Sequence, residues 1–137
     1  MADATKTGAV VVIAEQWDGA LQRVSLELLG AGKILADKLG VSLEAVLLGH
    51  NVGALAKTLV EYGAQKVHVA DHVELKQYRT RPYSKVICDW LRAQPTMPQV
   101  VLIGGTTTGR DLAPRIAAQR HIHAAIVSEE CHLPRPH

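Results

Sequence analysis

Residues 100–116 read VVLIGGTTTGRDLAPRI. Val100–Ile103 is a short run of apolar residues, the pattern of a parallel strand covered on both faces. Gly104 and Gly105 follow, where a backbone free of Cβ atoms turns sharply. Thr106, Thr107 and Thr108 then offer hydroxyls and N–H groups at the start of a helix. Asp111 falls early in that helix, where a negative charge suits the dipole. The reading is strand, Gly/Thr turn, helix from about Arg110, with Pro114 tolerated as part of the first turn or so. In an open α/β sheet, ligands and partners dock at the carboxyl ends of such strands.

Working outward, the same unit recurs. Ala9–Ala14 (AVVVIA) predicts a buried first strand, and Asp18-Gly19 a helix entry. Leu21, Val24, Leu28, Ala31, Leu35 and Leu39 recur at steps of three and four, one apolar face of a long helix. Gly40 is placed to stop it. Leu43–Leu48 reads as a second strand, closed by Gly49. Residues 53–62 read as a short helix with Leu55, Leu59 and Val60 inward, stopped by Gly63. Lys66–Ala70 alternates as a third strand, and residues 71–81 are polar and irregular, a loop. Thr80 suits an N-cap with Pro82 just inside, and Tyr83, Val86, Ile87, Trp90 and Leu91 form the next buried stripe. Pro95 and Pro98 end that helix. His121–Val127 is apolar enough for an edge strand. The order βαβαβ, loop, αβα predicts a mainly parallel sheet with helices on both faces and right-handed crossovers, a three-layer α/β/α sandwich.

Composition fits. The chain has 137 residues, enough for one domain, 1–137. Its single Asp–Glu–Lys–Arg balance of +2 is too mild to imply nucleic acid, and the basic residues are scattered. Aromatics are 4% with no Phe, so Val, Leu, Ile and Ala must build the core. Cys88 and Cys131 form no CxxC, which signals neither a zinc site nor a disulfide framework. The first residues, MADATKTG, hold no apolar signal core, and no apolar run has the length of a bilayer. The expected compartment is the cytoplasm, without membrane insertion.

The segment GGTTTGRDLAPRIAA resembles the signature of the electron-transfer flavoprotein alpha subunit, in its N-terminal domain. VVVIAE, SLELLGAGKILADKLG, VSLEAVLLG and YGAQKVHVAD agree with it, so the resemblance covers about residues 8–118. It implies an adenine-nucleotide-hydrolase-like fold and a non-enzymatic role as scaffold and subunit interface. Its implied partners are a beta subunit and acyl-CoA dehydrogenase-type donors, in an electron carrier serving fatty acid β-oxidation and a membrane quinone reductase or other acceptor. The family's FAD is held mainly by the alpha subunit's C-terminal domain. None of those FAD-binding residues can be placed in this chain, so no cofactor is expected on it. The stretch 119–137 departs from the family pattern and is expected to be an atypical tail. An apolar face left open by these departures would favour a homo-oligomer.

Candidate site residues are Gly104, Gly105, Thr106, Thr107, Thr108, Gly109 and Arg110, whose backbone N–H groups and guanidinium could bind an anion or a partner. The stretch lacks the Lys and spacing of a phosphate loop, GxxxxGK[ST]. A plain strand-to-helix turn or a docking surface is the competing reading, with Arg110 and Arg115 paired to carboxylates. Glu15 could hold a ribose hydroxyl or act as a base, but no acid or nucleophile partner is evident, which favours a solvated carboxylate or cap. Trp17 could stack on a ligand ring or cover the sheet edge. Cys88 reads as a buried thiol in a helix stripe, and Asp71-His72 as exposed loop residues. His121 and His123 share a strand face, and Cys131, His132 and His137 follow, but no familiar ligand spacing supports a metal site. Besides the carrier domain, two readings remain: a small adenine-nucleotide-binding module, and an enzyme cleaving the α-phosphate of ATP. The second lacks its Ser-Gly-Gly loop, since strand one is followed by AEQWDG.

Overall fold

The computed structural model describes residues 8–120 and 124–127. Five parallel strands form the main sheet: β1 (Val10–Ala14), β4 (Leu43–Gly49), β5 (Lys66–Asp71), β6 (Val100–Gly104) and β7 (Ala124–Val127). Their spatial order is β5-β4-β1-β6-β7. Every residue of β1 is buried, because this central strand is covered on both faces. Side chains alternate across the pleat. Val11, Ile13, Val101 and Ile103 point to one face, under Ile87 and Leu91 of α3 (Thr80–Ala93) and Leu112 and Ile116 of α4 (Thr107–Arg120). Val10, Val12, Leu47 and Leu102 point to the other, under Leu28 and Leu29 of α1 (Arg23–Leu39) and Leu59 of α2 (Leu55–Glu61). The architecture is therefore the expected three-layer α/β/α sandwich. The chain runs outward from β1 through β4 to β5, then crosses back to lay β6 on the other flank of β1. The carboxyl ends of β1 and β6 are thus a topological switch point, where a crevice opens.

Several local expectations are corrected. Asp18-Gly19 is not a helix entry. Both residues have positive φ, 51° and 83°, and they turn a hairpin of β2 (Gln16–Trp17) and β3 (Ala20–Leu21), the backbone twist such two-residue loops require. Leu21 belongs to that hairpin, and α1 starts at Arg23. The buried face of α1 is Ser25, Leu28, Leu29, Gly32 and Ala36, while Leu39 is exposed. Leu28 of the expected stripe is buried and Val24 and Leu35 pack against the core, but the helix also meets the sheet through small residues. A Cβ on Gly32 would come within 2.8 Å of a Leu43 methyl. Gly40 caps α1 in the left-handed region, as expected.

Val60 faces solvent rather than the core, since seven residues of α2 bury a single stripe through Leu59. The 71–81 segment is not all irregular and polar: Val73–Leu75 forms a 3-10 turn that buries Leu75, whose carbonyl accepts the Tyr83 hydroxyl at 2.7 Å. Thr80 is the first residue of α3 and Arg79 its N-cap, without a side-chain capping bond. The Thr80 hydroxyl is used elsewhere, on Asp111. Helix α4 starts three residues earlier than expected, at Thr107, which places Pro114 in its interior. Pro114 has no N–H to give the Arg110 carbonyl one turn back, and it lies on the exposed side. Of the expected edge strand, Ala124–Val127 pairs in parallel with β6; His121–His123 lie outside the described residues.

Candidate functional site

The switch-point crevice is a cleft of about 510 Å³, floored by Ile13, Ala14 and Ile103 and walled by the β2–β3 hairpin, the Lys76–Tyr78 segment and the start of α4. Its centre is a hydrogen-bonded pair. Glu15 leaves the end of β1, and the Thr106 hydroxyl donates to its carboxylate, 2.8 Å from Oε2. The same hydroxyl accepts the Gly109 N–H at 3.0 Å, so Thr106 is the N-cap of α4. The Glu15 backbone is clamped by Ser25, a fully buried residue. Its Oγ accepts the Glu15 N–H at 2.7 Å and donates to the Glu15 carbonyl at 2.9 Å. Burial pushes the Glu15 carboxyl above its ordinary range, opposed by the Thr106 bond.

The glycines here serve close packing rather than a left-handed turn, since neither Gly104 nor Gly105 has positive φ. A Cβ on Gly104 would lie 2.7 Å from a Val24 methyl and 3.0 Å from Glu15 Oε2. A Cβ on Gly109 would collide with the Gly104 carbonyl oxygen. Gly105 donates its N–H to the Val127 carbonyl at 2.7 Å, tying the turn to β7. The Arg110 Nε–H reaches the Gly105 carbonyl at 3.4 Å, and Thr107 and Thr108 line the cleft. The seven candidate residues therefore sit together, but Thr106 is spent on Glu15 and the helix cap. A phosphate approaching the start of α4 would meet the Glu15 carboxylate where a phosphate loop has donors.

Asp111 anchors the next part of the motif. Its Oδ2 accepts from the Tyr78 hydroxyl at 2.7 Å and the Thr80 hydroxyl at 2.6 Å, and Arg115 lies 3.6 Å from its Oδ1. These donors hold the Asp111 carboxyl below the usual carboxylate range, Thr80 first. Burial and the bond to Asp111 push the Tyr78 phenol up to about 12. The pairing of Arg115 is thus within its own helix, one turn away.

Glu15 is not the solvated carboxylate of the sequence reading but a half-buried bridge between β1 and α4. The signal that could have found it is its place directly after a buried strand, opposite the Thr that directly follows the Gly104-Gly105 pair. Trp17 lines the cleft rather than covering the sheet edge, and is 71% exposed at the hairpin. Asp71 is not a loose loop residue: it ends β5 and accepts the N–H groups of Asn51 and Val52 at 2.9 and 3.2 Å. Those bonds hold the turn after β4, where Asn51 has φ 55°. Cys88 is buried in α3, as read. The His and Cys residues of the tail lie outside the described residues. Among the described residues no three metal-ligating side chains converge, and no helix is long and apolar enough to cross a membrane.

A model of the electron transfer flavoprotein domain matches residues 10–126, most of the chain. The chain belongs to the electron transfer flavoprotein family. An electron transfer flavoprotein subunit alpha of Clostridium acetobutylicum is 54% identical over 110 residues, 80% of this chain and 32% of that protein. An acryloyl-CoA reductase electron transfer subunit beta of Anaerotignum propionicum is 44% identical over 132 residues, 96% of this chain and 35% of that protein. The chain spans about a third of the length of these curated relatives. Among solved structures, a universal stress protein in complex with cAMP aligns with TM-score 0.51 at 14% identity, covering 89% of this chain and 98% of that one. That likeness shows the adenine-nucleotide-hydrolase-like fold. Within the family, the GRDLAPR run has a packing logic here. Gly109 lets α4 approach β6, Asp111 pins the Tyr78–Thr80 segment, and Leu112, Ala113 and Ile116 fill the core.

Proposed function

We propose that this chain is a scaffold and subunit-interaction domain of an electron-transfer flavoprotein alpha subunit. It serves an electron carrier that takes electrons from acyl-CoA-type dehydrogenases, without being itself an enzyme. Its companion is the family's beta subunit. The whole carrier uses FAD, and this domain alone does not hold it. The observation that carries the reading is the filled switch point. The carboxylate of Glu15 sits on the capping hydroxyl of α4, so the place where this fold offers an anion its donors is taken by the protein's own anion. An exposed helix N-terminus would give a phosphate only about 0.3–1 kcal/mol, and a nearby carboxylate opposes even that. The same observation disfavours the adenine-nucleotide module. Calorimetry of the chain against AMP and, separately, FAD tests this. Neither is expected to bind with a micromolar or tighter constant; stoichiometric binding of either would overturn the reading.

A further inference from the structure

Glu15 turns anions away from the cleft, and the same carboxylate invites the opposite charge. Among the described residues its only side-chain partner is the neutral Thr106 hydroxyl, 3.0 and 2.8 Å from its two oxygens. A carboxylate has about four acceptor positions, and a single hydroxyl proton fills one of them. Asp89 and Asp111 each have a basic neighbour, Lys85 and Arg115. Glu15 has none among the described residues, although burial disfavours its charge. Ser25 clamps the Glu15 backbone at 2.7 and 2.9 Å, so the group is held in place before any ligand arrives.

The rest of the lining suits a small organic body. The cleft, of about 510 Å³, has the size of a small-molecule site. Ile13, Ile103 and Leu112 line it, as do the aromatic Tyr78 and Tyr83, whose ring centroids lie 4.9 Å apart. Both phenol protons are committed, to Asp111 and to the Leu75 carbonyl, so a ligand must bring its own donor. Aromatic rings also attract an ammonium group. Three further charges line the cleft, Asp18 in favour of a cation and Arg23 and Lys76 against it. All three are exposed, where water and salt screen them, and Arg23 is paired with Glu27. The half-buried Glu15 therefore dominates the field inside. We propose that the cleft binds a small primary amine, its ammonium donating to the Glu15 carboxylate and its apolar body lying against Ile13, Ile103 and the ring of Tyr78. This goes beyond the subunit reading and does not depend on it.

The test is an NMR titration of the full chain at neutral pH with three probes of similar shape: 2-phenylethylamine, 2-phenylethanol and 3-phenylpropanoate. The amide signals of Thr106 to Gly109 and the indole N–H of Trp17, all on the cleft lining, report where each probe sits. The amine is expected to shift these signals saturably and to bind about tenfold or more tightly than the alcohol, the usual gain from a hydrogen bond to a charged group. The carboxylate is expected not to saturate them. This comparison needs no variant. Glu15→Gln keeps the shape of the side chain and removes its charge, and its spectrum shows directly whether it folds. In it the amine should fall to the affinity of the alcohol, while the alcohol is unchanged. Lys76→Ala should bind the amine at least as well as wild type does. Amine and alcohol binding equally would make the cleft a plain apolar pocket and overturn the proposal. So would tighter binding of the carboxylate, which would give the field to Arg23 and Lys76. Amine binding that survives in Glu15→Gln, shifts confined to other parts of the chain, or no saturable amine binding at all would overturn it too. None of these results touches the scaffold reading, which is tested separately with AMP and FAD.

Discussion

Replacing Gly109 by Ala tests the packing logic of the GRDLAPR segment. Gly109 is the third residue of α4 and is buried. An added Cβ lands on the Gly104 carbonyl oxygen, with the Gly104 carbonyl carbon and the Ile103 Cγ2 both at 2.9 Å. The first two obstacles are backbone of a central strand, which cannot swing away, so the first turn of α4 must lift. Overpacking of this kind costs about 1–3 kcal/mol. The lift also stretches the 3.0 Å bond from the Gly109 N–H to Thr106, a cap worth about 1 kcal/mol. Against this, Ala in a helix gains at most about 1 kcal/mol over Gly. The net loss is about 1–3 kcal/mol, which lowers a urea midpoint by roughly 0.5–2 M for a domain of this size. Gly30→Ala is the matched control. Gly30 is exposed within α1 and a Cβ there meets no atom within 4 Å, so the same substitution should stabilise by about 0.5–1 kcal/mol. Equilibrium urea melts read both. A Gly109→Ala midpoint equal to or above wild type would refute the claim that this glycine exists for the approach of α4 to β6.

Glu15→Gln should change the pH profile of stability. Burial raises the folded carboxyl above its ordinary 4.5, so ionised Glu15 costs stability as pH climbs through the folded value. The Gln variant should gain on wild type as pH rises from about 4.5 through the raised folded value, and parallel urea midpoints across that rise would contradict the burial argument. Thr106→Ala removes the cap of α4 and should cost about 1 kcal/mol. It should also move the Glu15 carboxyl further up in an NMR titration, because the bond that favours its ionised form is gone; a downward move would count against the pair. In an ultraviolet titration one tyrosine should ionise near 12, and Tyr78→Phe should abolish that step; its persistence would place the perturbed phenol elsewhere. Alone at high micromolar concentration, the chain should scatter light as more than a single copy, given exposed Trp17 and the half-exposed edge strand β7; a single-chain mass rejects this.

The layers of the fold were legible because β1, β4 and β6 are buried on both faces and so carry continuous apolar runs. Helix and loop details were less so. The hairpin after β1 is two residues per strand, too short for any periodicity, and Asp-Gly is equally at home before a helix. On α1 the apolar stripe found Leu28 and the core-packed Val24 and Leu35, but missed Ser25 and Gly32, which are buried without being hydrophobic. At the candidate site the sequence located the Gly104–Arg110 turn but not its neutralisation. Glu15 and Thr106 are 91 residues apart, and only the parallel pairing of β1 with β6 sets them side by side.

The central claim is that this domain exists to join a companion subunit. Multi-angle light scattering of this chain mixed in equal amounts with an electron transfer flavoprotein beta subunit, at about 10 µM each, within the usual range of stable subunit affinities, addresses it directly. The account predicts one species with the mass of a 1:1 complex. Two species eluting at their separate masses would contradict it.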